Sequence, residues 1–306
     1  MTMERTRGMT DGYATDAGYV TDEAGGRGWR LMLGDSCERL AEIADDSIGL
    51  SVCSPPFASL FTYSPSLRDL GNCSTRGEFL EHYSYIIREQ LRVTMPGRIA
   101  CVHVAQVTTR KNTEGYIGLT DFRGEVIREF QAAGWIFFGE VTIWKNPQAQ
   151  ATRTKAHSLM FVSKNRDSAG IRPALADYLL IFKKPGDNPV PVRGDVTNEE
   201  WIEWARPVWY GIRETNTLNA RVARENEDER HIAPLQLDFI ERCVRLWSNR
   251  GETVLTPFAG IGSEVYTAVK LGRRGIGIEL KASYWRTAVD NLRRLEEELR
   301  QDTLFG

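Results

Sequence analysis

Thr253-Val254-Leu255-Thr256-Pro257-Phe258-Ala259-Gly260-Ile261-Gly262-Ser263 is a short β-branched and apolar run that stops at a proline and passes through Gly-x-Gly into a helical pattern. The helix is expected over Glu264 to Leu271, and Gly275 to Leu280 reads as the next strand, with Glu279 at its end. Strand, glycine turn, helix and strand with a terminal acid form half of a nucleotide-binding α/β unit. The glycines let backbone approach a ligand, the helix start offers free amides, and the acid bonds ribose hydroxyls. The third glycine of the dinucleotide pattern is absent because Val265 takes its place, which suits a ligand without a pyrophosphate. A lone Gly-x-Gly also serves as an ordinary tight turn; Glu279 at the strand end favours the ligand. Upstream, His231-Ile232-Ala233-Pro234-Leu235 precedes a helix over Leu235 to Trp247 and either starts that helix or caps the same pocket.

Further out, strands are expected at Trp29–Leu33, Ile48–Cys53, Ile99–Val104, Trp135–Trp144 and Tyr178–Phe182. Helical spacing marks Cys37–Ile43, Glu78–Thr94, Phe122–Ala133 and Tyr284–Leu299. Strands alternating with helices predict an α/β protein with a Rossmann-like, doubly wound, mostly parallel sheet. Trp201 to Arg230 mixes aromatics and charge without a clean period.

The chain has 306 residues, 42% hydrophobic and 26% charged, with a mean hydropathy of -0.37, as expected of a globular protein. No apolar stretch approaches the roughly 18 to 20 residues that cross a bilayer. Residues 1–28 lack the apolar segment of a signal peptide and are expected as a flexible tail, so the reading is a cytoplasmic protein without a membrane partner. The five cysteines form no C-x-x-C pair and the four histidines lie far apart, which argues against a metal site. A net charge of -2 speaks against nucleic acid as a partner. Its distribution reverses that reading: Val141 to Lys184 holds eight basic residues against two acids, whereas acids outnumber bases from Gly194 to Arg230.

Ser54-Pro55-Pro56-Phe57 ends the strand Ile48–Cys53, at the sheet edge where open α/β folds place ligands. Two prolines make a stiff turn poor in donors. It offers the Ser54 hydroxyl and a backbone carbonyl as acceptors beside the Phe57 ring, parts that suit a planar amino group. An ordinary strand-terminating loop is the alternative.

Taken together, the two motifs resemble the beta class of S-adenosylmethionine-dependent DNA amino-methyltransferases. There a (D/N/S)-P-P-(Y/F) motif precedes a D-P-F-x-G-x-G-T cofactor loop, matched here by Thr256 to Ser263. The family's H-x-A-P block is similar to His231–Pro234, and its Gly-Asp pair to Gly34-Asp35. The resemblance covers residues 30–145 and 231–299. It implies S-adenosylmethionine as cofactor, held by Asp35, His231, Pro234, Leu235, Pro257, Phe258, Ala259, Gly260, Gly262, Ser263 and Glu279. It also implies catalysis by Ser54, Pro55, Pro56 and Phe57 on a base flipped out of double-stranded DNA, without metal, in a chain that is often a homodimer. Residues 29–145 and 231–306 would form the core and 146–230 a target-recognition insert, with Arg153, Lys155, Lys164 and Arg166 on phosphates.

Within the resembled family Ser at the first motif position goes more often with N4 of cytosine, and Asp or Asn with N6 of adenine. The resemblance therefore implies N4-cytosine with N6-adenine as the alternative, since a Ser hydroxyl accepts from either base. Other readings are methylation of RNA or of a glutamine side chain, and a non-catalytic DNA-binding protein on a decayed methyltransferase fold. The last is motivated by Thr256, which stands where the family has Asp; Ser263 for Thr keeps the hydroxyl. Cys53 is expected as a core residue rather than a thiolate nucleophile.

Overall fold

The computed structural model describes residues 19–56, 68–73, 75–109, 111–112, 114–148, 150, 167, 169, 172–218 and 234–305. In chain order these form β1 (Asp22–Gly26), β2 (Trp29–Leu33), α1 (Ser36–Arg39), β3 (Ile48–Cys53), α2 (Arg76–Val93), β4 (Thr94–Ala105), β5 (Val107–Thr108), β6 (Leu119–Thr120) and α3 (Phe122–Ala132). There follow β7 (Ile136–Ile143), β8 (Asp177–Lys183), α4 (Asn198–Trp204), β9 (Val208–Trp209), α5 (Leu237–Trp247), β10 (Thr253–Thr256), α6 (Ser263–Lys270), β11 (Arg274–Glu279) and α7 (Ala282–Phe305).

Nine strands join in the order β1-β2-β11-β10-β3-β4-β8-β7-β9. The five from β2 to β4 are parallel, and β1 and β8 run against their neighbours. Every residue of β3 is buried, the pattern of a strand covered on both faces. Alternation then sorts the side chains of β4. Ala100, Val102 and Val104 pack with Phe79 and Tyr83 of α2 and Phe130 of α3, while Ile99 and Cys101 pack with Phe239 and Ile240 of α5. Trp29 and Leu31 of β2 meet Val265 and Val269 of α6 and Leu292 of α7. The result is a sheet between two helical layers, the expected doubly wound α/β architecture.

The helix starts are written in the sequence. Thr75 caps α2 by accepting from Glu78 N at 3.1 Å, and Asp121 caps α3 by accepting from Gly124 N at 3.0 Å. Some boundaries differ from expectation. Asp22–Gly26, inside the stretch expected as tail, pairs with β2 as an edge strand. The helix expected over Cys37–Ile43 splits into α1 and a 3-10 turn, Leu40–Glu42. β4 begins at Thr94 directly after α2 and runs through Pro96-Gly97, which read as a helix stop. The unassigned stretch after Trp201 contributes the end of α4 and the two-residue strand β9.

Candidate functional site

β3 and β10 lie side by side and parallel, but the chain leaves them in opposite directions: from β3 through α2 to β4, and from β10 through α6 to β11. Such a reversal opens a crevice at the carboxyl ends of the two strands. Here the crevice is a cavity of about 440 Å³ lined by Ser54, Pro55 and Pro56 from the end of β3 and by Pro257, Phe258, Ala259 and Gly260 from the end of β10. Asp35, Pro234, Leu235, Ser263 and Glu279 also line it. The two motifs, distant in sequence, therefore meet across one pocket. Gly262 stands behind the wall as the N-cap of α6, at φ 88°, with no side chain capping the helix amides. Phe57, His231, Arg153, Lys155, Lys164 and Arg166 lie outside the described residues.

The wall formed by the ends of β10 and β11 is held by backbone. Glu279 accepts from Gly260 N at 2.7 Å and from Lys281 N at 2.9 Å. Its own carbonyl accepts from Gly34 N at 2.9 Å, and Ser36 Oγ donates to the Pro257 carbonyl at 2.5 Å, so the Gly34-Asp35-Ser36 turn is tied to the ends of both β10 and β11. Asp35 caps α1 through Cys37 N and pairs with Arg68 at 3.3 Å.

Two carboxyls here are displaced from their ordinary range. Burial pushes Glu279 up to about 7 against the lowering pull of its two amide donors. Burial pushes Glu264 up to about 8, opposed by its own amide and reinforced by Glu279. Glu264 is 4% exposed on the first turn of α6 and lines the cavity. Among the described residues, Ser263 Oγ on the cavity lining and Thr256 Oγ1 at the end of β10 are buried without a hydrogen-bond partner. Two buried acids, orphaned hydroxyls and a helix start without a side-chain cap are what a zwitterionic, hydroxyl-bearing ligand would satisfy.

On the other wall, Ser54 Oγ lies 3.3 Å from His103 Nδ1 and 3.3 Å from the His103 carbonyl. Cys53 is fully buried and burial pushes its thiol up, so it is a core residue, as expected. Lys145, counted among the basic residues of the Val141 to Lys184 stretch, is internal and pairs with Asp177 at 2.7 Å. The sequence reading missed Glu264 and His103. Glu264 carried a signal, being an acid next to Ser263 on the helix that opens the pocket; His103 gains meaning only from the register of β4.

The profile of the DNA methylase family matches residues 48–290. The type II methyltransferase M.MjaI of Methanocaldococcus jannaschii is 26% identical over 290 residues, covering 83% of this chain and 88% of that protein. M.MthZI of Methanothermobacter thermautotrophicus is 23% identical over 274 residues, 79% of this chain and 70% of its own. Among solved structures, the protein TTHA0409 of Thermus thermophilus in complex with S-adenosyl-L-methionine has a TM-score of 0.65 at 24% identity, covering 86% of this chain and 92% of that one. The cytosine-N4-specific PvuII DNA methyltransferase has a TM-score of 0.62 at 15% identity, covering 87% and 86%. At these identities the two structures show a shared fold.

Proposed function

Since the chain belongs to the DNA methylase family, the S-adenosylmethionine-dependent enzymes that modify the N6 or N4 amine of a DNA base, we propose that it methylates N4 of cytosine in double-stranded DNA. The observation that carries this reading is the meeting of Ser54-Pro55-Pro56 with Gly260 and Glu279 across one cavity. The residues fit the cofactor. Glu279 takes the ribose hydroxyls on lone pairs its amide donors leave free, and the open amides of α6 with Ser263 Oγ and Glu264 receive the charged methionine end. When bound, S-adenosylmethionine supplies an electrophilic methyl group on a sulfonium.

The chain's own residues prepare the amine. Its lone pair is delocalised into the base, and acceptors for both hydrogens, Ser54 Oγ and a carbonyl of the Pro55-Pro56 turn, draw the nitrogen toward tetrahedral geometry and aim it. No covalent intermediate is required, in keeping with the burial of Cys53. A paired base must be extruded to reach this turn, and Phe57 is assigned as its stacking partner. Ser rather than Asp or Asn at position 54 supports cytosine.

Within residues 146–230, β8 and β9 belong to the central sheet, and the recognition role is proposed for the stretch before β8, with Arg153, Lys155, Lys164 and Arg166 on phosphates. Mass spectrometry of nucleosides from DNA incubated with enzyme and cofactor tests the reading. N4-methylcytosine is expected; N6-methyladenine alone overturns the choice of base, and no methylated nucleoside favours the non-catalytic DNA-binding alternative.

A further inference from the structure

Behind Ser54, away from the cavity, lies a polar chain that the reaction as described does not use. His103 is on β4, one strand over, and its ring turns to the α5 side, edge-on to Phe239 at 5.2 Å. Asp177 opens the antiparallel β8 and lies on the same face, since Ala105 pairs with Asp177 and His103 with Leu179. His103 Nε2 is 3.0 Å from Asp177 Oδ2, and Lys145 Nζ is 2.7 Å from the same oxygen. His103 is 7% exposed and Lys145 5%.

We propose that His103, oriented by Asp177, is a positioning residue that turns the Ser54 hydroxyl into an acceptor for the amine and takes up, through Ser54, the proton released on methylation. The proposal rests on the methyl-transfer reading above. Its logic begins at Asp177. Burial raises that carboxyl, but the bonds from His103 and Lys145 outweigh it and hold it at about 2, so it stays ionised. A carboxylate at Nε2 requires a hydrogen there, and in the tautomer the proposal needs, that is the ring's one hydrogen and Nδ1 carries the lone pair. The Ser54 hydrogen then points toward β4, to Nδ1 or to the neighbouring His103 carbonyl, and in either case the oxygen lone pairs face the cavity. That is the polarity an amino hydrogen needs. Lys145 sets a second donor against the same Asp177 oxygen.

The step balances. The amine nitrogen bonds to the methyl carbon as the carbon–sulfur bond breaks, leaving a thioether and a positively charged nitrogen. That nitrogen gives a proton to Ser54 Oγ while the Ser54 proton passes to Nδ1. The imidazolium rests against Asp177 and returns its proton to solvent in the next opening of the site. A buried histidine that merely bridges β4 and β8 would show the same distances, so the test must separate the two roles.

The experiment is rapid-quench single turnover with saturating DNA and S-adenosylmethionine, together with binding constants and melting curves. His103→Ala is expected to slow the methyl-transfer step about 100-fold. Cofactor and DNA affinity should stay near wild type, and added imidazole should restore part of the rate in His103→Gly. A folded His103→Ala that turns over at the wild-type rate overturns the relay. So does a slow variant whose losses follow binding or melting temperature and do not respond to imidazole. Where the variants fail to fold, ¹⁵N NMR of the wild-type imidazole decides: hydrogen on Nε2 supports the relay, and hydrogen on Nδ1 alone overturns it. An inactive wild type defeats the methyltransferase reading itself, whereas an active wild type with an indifferent His103 variant defeats only the relay.

Discussion

Glu264 shows what the site does to a single residue. The influences that set its charge among the described residues are burial, its own amide and Glu279, and none of them is a cation. Its carboxyl lies at about 8 in the folded chain against an ordinary 4.5. A carboxyl raised by folding contributes stability below its unfolded value and loses it as pH rises toward the folded one. Glu264→Gln removes that loss. Thermal melts of the ligand-free protein should therefore show the variant gaining on wild type between pH 4.5 and 8, with little difference below that window. The same substitution should weaken S-adenosylmethionine binding by roughly tenfold in calorimetry, because the carboxylate is then missing from the methionine end. Ser54 is the complementary case. Ser54→Ala should lower single-turnover methylation by about 100-fold or more and leave cofactor affinity unchanged, since the hydroxyl acts on the amine. Full methylation by that variant would remove Ser54 from catalysis.

Among the elements, α6 and α2 start in opposite ways. α2 begins on a threonine cap, and Thr75→Ala should cost about 1 kcal/mol in urea unfolding without altering turnover. α6 begins on Gly262 at φ 88°, where a Cβ would stand 3.0 Å from that of Ala288. Gly262→Ala should cost roughly 1 to 3 kcal/mol and weaken cofactor binding as well, because the strained turn carries the open amides. The contrast also explains which elements the sequence reveals. β3 and β10 are legible because burial on both faces forces an apolar run bounded by prolines. β1, Asp-Glu-Ala-Gly-Gly, is exposed along nearly its whole length and is held by backbone pairing with β2, so no side-chain pattern announces it. β9 has two residues, too few for any period. The pocket's two motifs were legible for a different reason: each is a turn whose residue types answer to a ligand. His103 and Asp177 were not, since only strand register places them on one face.

At the scale of the whole molecule, distant segments are fastened together by buried charge. Arg98, 1% exposed, donates to the Gly49 carbonyl at 2.9 Å and to the Val190 carbonyl at 2.9 Å, and it pairs with Glu252 just before β10. Arg98→Met should lower the unfolding free energy by about 3 kcal/mol, because it takes the cation from Glu252, leaving it the two donors of Asn249, and removes a donor from two carbonyls. Melting followed at the aromatic residues and by backbone signal should remain a single transition, since β3, β4 and β10 share that one contact. The neighbouring strands β3 and β10 are also joined by an uncharged bond: Ser51 Oγ donates to the Leu255 carbonyl at 3.2 Å, across 204 positions of sequence. That pairing has a consequence for biosynthesis. A ribosome releases β3 and β4 early, with one edge of β3 bare until Thr256 emerges. The sheet is then completed from its middle, and a chain cut before β10 has the Ser54-Pro55-Pro56 turn with no wall opposite it, so on the function proposed above methylation waits on the translation of β10 and α6.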